Sequence, residues 1–179
     1  IIEPWVWKCA QLEAERRKRY MQEHGTKSYS NNTERNPFAS KIICGNCNKV
    51  FARKGWQSRN GDIRRGWQCS ERYKVKGIMG CSNRHVDEST LEKAFVMAWN
   101  VVLENREDLR KWWKTLAEGE DLLLAYRAQD FTCIVEGAEP IEKVEVEFML
   151  RVLDHIKVYE SGMLTVVFLE GTEIECKNE

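Results

Sequence analysis

No apolar run in this chain approaches the roughly 18 residues that a membrane-spanning helix needs. No secretory signal is visible. Heptads are nowhere sustained long enough for a coiled coil, and there is no internal repeat or low-complexity tract. No Asp, Glu and His cluster stands out at catalytic spacing, so nothing in the chain supports a self-contained nuclease or other enzyme. Net charge is missing too: 28 Lys and Arg balance 28 Asp and Glu.

That balance is the average of two unlike halves. Residues 1–86 carry 18 Lys and Arg against 7 Asp and Glu, a net of +11, and residues 87–179 carry 10 against 21, a net of −11. A basic half joined to an acidic half suggests a part that faces a polyanion and a part that supports it or faces protein. The 179 residues are enough for one domain or two small ones, and seven tryptophans supply core material. The chain opens Ile-Ile-Glu-Pro without an initiator methionine, which reads as a piece of a longer protein. Seven cysteines, an odd number without a secretory signal, favour intracellular thiols or a metal site over a disulfide framework.

The first segment reads as a helix. Pro4 suits a first turn, and Trp5, Cys9, Leu12, Arg16 and Tyr20 fall on one stripe, with Arg16, Arg17, Lys18 and Arg19 clustered near the end. Gly25 ends it, and "GTKSYSNNTERNP" reads as a mobile polar linker. From Phe38 to Arg84 short β-prone pieces ("KIIC", "KVFARK", "RRGWQC") alternate with turns, and Asn60-Gly61 is a hairpin signal. This stretch has little apolar content of its own, so something else must hold it together.

Asp87 is placed to cap the next helix, whose core stripe is Leu91, Ala94, Phe95, Ala98, Trp99 and Val102. Asn105 reads as the cap of a shorter helix with Trp112 and Trp113, and "DLLLAYRAQDF" as another. Pro140 is expected to open a helix with Ile141, Val144, Phe148, Val152 and Ile156 on one side. The end reads as strand, Ser-Gly turn, strand, Glu-Gly turn and short strand.

Cys44 and Cys47 in "IICGNCNKVF" form one metal-binding knuckle. Structural zinc takes four soft ligands in a tetrahedron. Cys69, Cys81 and His85 are the candidates for the rest. Cys81 sits in "MGCSN", a turn-like context matching a second knuckle, whereas a histidine beside a helix start is more often a cap or a surface residue. The expected ligands are therefore Cys44, Cys47, Cys69 and Cys81, holding one zinc ion. They lie within a short module lacking a core, while Cys9, Cys133 and Cys176 are scattered. Four protein ligands close the coordination sphere, so the ion would be structural. Basic residues gather around the same module: Arg53, Lys54, Arg59, Arg64, Arg65, Arg72, Lys74 and Lys76, with Trp56 and Trp67 among them. A two-stranded ribbon of this kind has the width of a DNA major groove, so these eight are the expected DNA-binding residues.

These residues resemble a known family. "NPFASKIICGNCNKVFARK…RRGWQCSERYKVKGIMGCSNRHVDESTLEKAF" is similar to the recombinase zinc β-ribbon of the large serine recombinases, the phage integrases and transposon resolvases. "IIEPWVWKCAQLEAERR" resembles the segment that precedes that ribbon, and "IEKVEVEFMLRVLDHIKVYESGMLTVVFLEGTEIE" resembles the family's C-terminal helix and hairpin. Asn48 and Ser40 stand where the family commonly has glycine. The stretch from Asn105 to Pro140 is short for the coiled-coil insertion that some members use in subunit contacts.

The resemblance implies an α+β fold: a small zinc β-ribbon flanked by helices, with a C-terminal β-hairpin. Residues 1–37 would be N-terminal helix and linker, 38–86 the ribbon, and 87–179 a helical region with the hairpin, packed with the ribbon as one zinc domain. It also implies a bacterial or phage-encoded, cytoplasmic site-specific recombinase as parent. Its catalytic serine would lie upstream, and its partners would be double-stranded DNA and other recombinase subunits. This piece would bind the outer part of an attachment half-site and not cut it. The alternative from another class is a zinc-stabilised protein–protein interaction module.

Overall fold

The computed structural model describes residues 2–29, 32–57 and 59–177; Ser30 and Asn31 of the expected linker and Ser58 of the expected hairpin turn fall outside these. In chain order the elements are α1 (Pro4–His24), β1 (Ile42–Cys44), β2 (Phe51–Gln57), β3 (Ile63–Cys69), β4 (Val86–Asp87), α2 (Glu88–Glu104), α3 (Arg106–Ala117), α4 (Leu122–Glu136), α5 (Val146–Val152), β5 (Leu153–Val158), β6 (Met163–Phe168) and β7 (Glu173–Lys177). The fold is α+β, as expected, with two sheets. β2, β3 and β4 form an antiparallel sheet, and a second sheet has the order β1-β5-β6-β7. The C-terminal hairpin is thus extended by β7 on one side and, on the other, by β1 from the first third of the chain, which lies parallel to β5 with Ile42 opposite Ile156.

α1 begins at Pro4 and ends at Gly25, whose φ of 70° closes the helix in the left-handed conformation. Few of its residues are buried: Cys9, Tyr20 and His24. Trp5, at the head of the expected apolar stripe, stays 46% exposed and meets Tyr126 of α4 at 5.8 Å between ring centroids. Polar contacts anchor the helix instead. Arg16 donates to Asp154 at 2.8 Å and to the Tyr29 hydroxyl at 2.5 Å, and Glu13 accepts from Arg16, Arg17 and Arg127.

The expected mobile linker is an ordered segment where it is described. Tyr29 is buried, with the guanidinium of Arg16 4.9 Å and Lys41 Nζ 4.0 Å from its ring centroid. Asn32 donates to the carbonyls of Pro37 and Ala39. One aromatic side chain with a cationic cage around it is enough to pin a segment whose composition otherwise reads as loop.

α2 buries the stripe read from the sequence, and Trp99 lies edge-on to Phe148 (4.8 Å) and Phe131 (5.9 Å). Trp113 of α3 is buried and donates from its indole to Thr172 Oγ1 at 3.0 Å, tying the helices to the β6–β7 turn. The two expected caps, Asp87 and Asn105, occupy N-cap positions without making the side-chain bond; Asp121, not foreseen as a cap, accepts from Leu124 N–H at the head of α4.

The long helix expected from Pro140 is corrected. Helix forms only from Val146 to Val152, and Ile156 lies in β5. The Asn100 side chain bonds both the N–H and the carbonyl of Ile141, holding that segment out of helix. Downstream, strand pairing with β1 and β6 takes the residues whose spacing reads as helical. Among the described residues, no helix is long and apolar enough to cross a membrane.

Candidate metal centre and nucleic-acid interface

Cys44 ends β1, Cys47 follows one tight turn later, Cys69 ends β3, and Cys81 lies in the irregular segment before β4. The four sulfurs converge, no two more than 4.8 Å apart, with Cys44 to Cys81 at 3.6 Å and Cys47 to Cys69 at 3.4 Å. A tetrahedral ion with sulfur at about 2.3 Å requires sulfurs about 3.8 Å apart, so the set is the right size for one such ion. His85 is not part of it. It is exposed and lies against Trp56 with ring centroids 5.7 Å apart.

The knuckles are built by backbone geometry. Asn48 has φ of 60° and donates from its N–H to the Cys44 carbonyl, while Cys44 N–H donates to Lys49 O. Ser40 has φ of 59°. Both residues thus adopt the left-handed backbone that glycine takes more easily, and asparagine tolerates it better than most. Gly45 has no such φ but could not carry a side chain, since a Cβ there would sit 2.4 Å from the Tyr159 ring.

Backbone N–H groups point at the thiols. Burial pushes the Cys44 thiol up, but the Asn83 amide and the N–H groups of Cys47 and Asn46 outweigh it, so Cys44 is held below the ordinary thiol range. Cys81 is pushed up to about 11, by burial first and then by its sulfur neighbours, against the N–H of Asn83. Cys69 rises further for the same reasons. Four thiols so close cannot all ionise unaided, and a bound dication is what would lower all four together.

Asn83 is the residue that sequence reasoning missed. It is fully buried, and its Nδ2 donates to Cys44 Sγ at 3.1 Å and to Val158 O at 2.6 Å. It therefore couples a metal-site sulfur to the end of β5. Its place two positions after Cys81 signals a backbone N–H facing the Cys81 sulfur, and nothing local signals that its side chain reaches Cys44.

The β2–β3 hairpin projects from this base. Residues 54–57 and 59–65 are exposed, so this outer part is uncovered on both faces. Residues directly opposite one another share a face. Lys54, Trp56 and Arg64 lie on one face, where Trp56 opposes Arg64; Arg53, Gly55 and Arg65 lie on the other. Arg59 is in the turn and exposed. The eight basic candidates divide by their partners. Arg53 is engaged by Glu88 at 2.5 Å, and Glu88 also accepts from the buried Trp67 indole. Arg72 donates to the carbonyls of Ser82 and Asn83, clamping the second knuckle. Arg64 pairs with Asp87 and Lys74 with Glu71 at exposed positions. Lys54, Arg59, Arg65 and Lys76 are exposed and make no ion pair among the described residues.

Residues 37–100 match the family model described as recombinase zinc beta ribbon domain. No curated protein matches. Two solved structures match, each 15% identical in sequence. One, described as an LSR–DNA complex, covers 86% of this chain and 61% of its own with a TM-score of 0.49. The other, from work on the sequence requirements of the Listeria innocua prophage attP site, covers 88% and 52% with a TM-score of 0.37. The chain thus spans between half and two thirds of either structure.

Proposed function

We propose that this chain, whose residues 37–100 match the recombinase zinc beta ribbon model, is the DNA-binding zinc domain of a site-specific serine recombinase. Cys44, Cys47, Cys69 and Cys81 hold one structural zinc ion, and the ribbon recognises the outer part of an attachment half-site. α1, the ribbon and residues 87–179 act as one zinc domain. The parent cuts and rejoins DNA through a serine in a domain upstream, works with other recombinase subunits, and is cytoplasmic in a bacterium.

The observation that carries the reading is the pairing of a closed four-sulfur centre with a basic hairpin exposed on both faces. Such a centre has no open position for catalysis, and a two-stranded ribbon fits the roughly 12 Å major groove. Lys54, Arg59 and Arg65 are the residues of this arm free to meet DNA, joined by Lys76 beside the second knuckle; Arg64 and Lys74 would meet it by exchanging their exposed partners Asp87 and Glu71 for phosphate. Arg53 and Arg72 serve chiefly to brace the arm and the metal site.

The test is binding to attachment-site duplex from the parent element, compared with random duplex, across a salt series. Affinity should fall steeply with salt, and Arg64→Ala with Arg65→Ala should weaken binding about tenfold or more, reduce the salt slope by up to about two, and leave the metal content unchanged. Equal binding of attachment-site and random DNA at moderate salt would reduce the domain to a scaffold. Unchanged affinity in the double variant would remove those two arginines from the contact surface.

A second reading, a zinc-stabilised protein interaction module, is favoured by the exposure of Trp5, Trp7 and Trp112 on the helices (46%, 59% and 50%). It predicts that the double arginine variant is indistinguishable from wild type on DNA, while a Trp5→Ala and Trp7→Ala variant loses a protein partner.

A further inference from the structure

The loop between Cys69 and Cys81 carries a group of side chains that neither the metal site nor the hairpin uses. Tyr73, Val75, Ile78 and Met79 are 56%, 57%, 62% and 57% exposed. A run of large apolar side chains held out in water marks a contact surface.

This loop is a built projection. Its base is closed by Arg72 N–H to Cys69 O (3.1 Å), Gly80 N–H to Arg72 O (2.8 Å) and Cys81 N–H to Glu71 O (3.3 Å). The Arg72 guanidinium spans to the carbonyls of Ser82 and Asn83. A Cβ on Gly80 would lie 2.4 Å from Glu71 O, so this close approach needs glycine. The tip is turned by Ile78 N–H to Val75 O at 3.1 Å. Both ends of the loop are cysteines of the sulfur cluster. The apolar tip is therefore presented in a fixed shape, and little conformational freedom remains to be lost when it docks.

Charge identifies the occupant. The tip reads Tyr-Lys-Val-Lys-Gly-Ile-Met, with Lys74 and Lys76 interleaved among the apolar residues. The acid of the loop is Glu71, at its base and paired with Lys74. Lysine is depleted in protein–protein interfaces, whereas alternating apolar and cationic residues match a surface of phosphates flanking stacked bases. Isoleucine and methionine are among the side chains that open base steps from the minor groove.

We propose that residues 73–79 are a minor-groove wedge: Ile78 and Met79 press between base pairs while Lys74 and Lys76 hold the flanking phosphates. The proposal rests on the DNA-binding reading and adds a second, apolar element beside the basic hairpin. The bound duplex would then be kinked, and pyrimidine–purine steps, which unstack most easily, would be preferred beneath the loop.

The test uses the zinc-loaded 179-residue chain and attachment-site duplex carrying 2-aminopurine at successive TA and CA steps, with donor and acceptor dyes at the ends. Wild type should raise 2-aminopurine fluorescence at one step and bring the ends closer. Ile78→Ser with Met79→Ser, both exposed and outside the core, should keep the metal and melting temperature, bind about tenfold more weakly, and lose both optical changes. Wild-type binding without a fluorescence rise at any step overturns the wedge and leaves DNA binding standing. So does a double variant that unstacks as well as wild type, or one whose loss appears only in self-association by sedimentation. Failure of wild type to bind duplex at all defeats the DNA-binding reading itself, and the wedge with it.

Discussion

Removing the metal, or replacing Cys69 by Ser, is expected to unfold the ribbon and abolish DNA binding while leaving much of the helical signal intact. The β2–β3 hairpin has almost no core of its own: beyond Arg53 the side chains of both strands are exposed until Gly66. Its base is held by the convergence of Cys44, Cys47, Cys69 and Cys81 around one point and by Phe51 and Trp67, which reach into the main core. In small zinc modules, the binding free energy of the ion, about 10–16 kcal/mol in apparent terms, is folding free energy. The helices are less dependent on it, since Trp99, Trp113 and Phe131 pack on one another and on Phe168. Elemental analysis should find one zinc per chain in protein purified without chelator. Cys69→Ser should lose it and become cleavable by protease between residues 47 and 81. Absence of zinc from the untreated protein, or a Cys69→Ser variant with unchanged melting and proteolysis, would refute the structural-ion reading.

Asp154→Ala should be the most damaging change away from the metal. Asp154 accepts from Arg16 at 2.8 Å, from the Tyr29 hydroxyl at 3.0 Å and from His155 at 2.9 Å, and its side chain is 16% exposed. Nearby Lys41 is buried, and burial draws it down to about 8 despite the pull of Asp154 in the other direction. Removing the carboxylate leaves Lys41 in a poorly solvated site and Arg16 with Glu13 as its remaining carboxylate, and stranding a buried charge in this way costs about 3–5 kcal/mol. For a chain of this length that is a fall in melting temperature on the order of 10 °C. Adding Lys41→Met should restore part of the loss. A single variant melting within a degree or two of wild type would show that α1 is anchored elsewhere.

The same group sets a pH dependence. Burial alone would raise the Asp154 carboxyl, but the His155 hydrogen bond and the charges of Arg16, His155 and Lys41 outweigh it, so it is held well below the usual carboxylate range. Its contribution is thus fully present above a pH of about 4, the unfolded carboxyl value, and is lost as acidification protonates it below that. Thermal melts of wild type should fall through this acid range more steeply than those of the Asp154→Ala, Lys41→Met variant.

The sulfur site was readable because its logic is chemical and local. Cysteines at the right spacing in a core-poor stretch have few other uses, and the Asn60-Gly61 turn with its flanking β-prone runs located the hairpin. Asn48 and Ser40 stood out only through the resemblance, as places where the family commonly has glycine, and both take the left-handed backbone. Contacts whose partners lie far along the chain were not readable. Nothing near Ile42 announces a parallel neighbour in β5, and nothing near Arg53 announces Glu88. Tyr29 reads as loop until Arg16, Lys41 and Asp154 are assembled around it. Ile156 keeps helical spacing with Val152, and only the β1 and β6 ladders on either side make it a strand.

The parallel pairing of β1 with β5 governs the order in which the molecule can form. The first sulfur-bearing strand acquires its neighbour only after more than a hundred further residues have been made. Closing so long a loop is entropically expensive, and parallel pairings of this separation form slowly. During synthesis all four cysteines of the cluster are made while β1 still has an open edge, so an ion bound there would act as a placeholder awaiting the C-terminal sheet. A chain that stopped at residue 100, where the family match ends, would keep the four clustered sulfurs and lose the strand against which the first of them is laid.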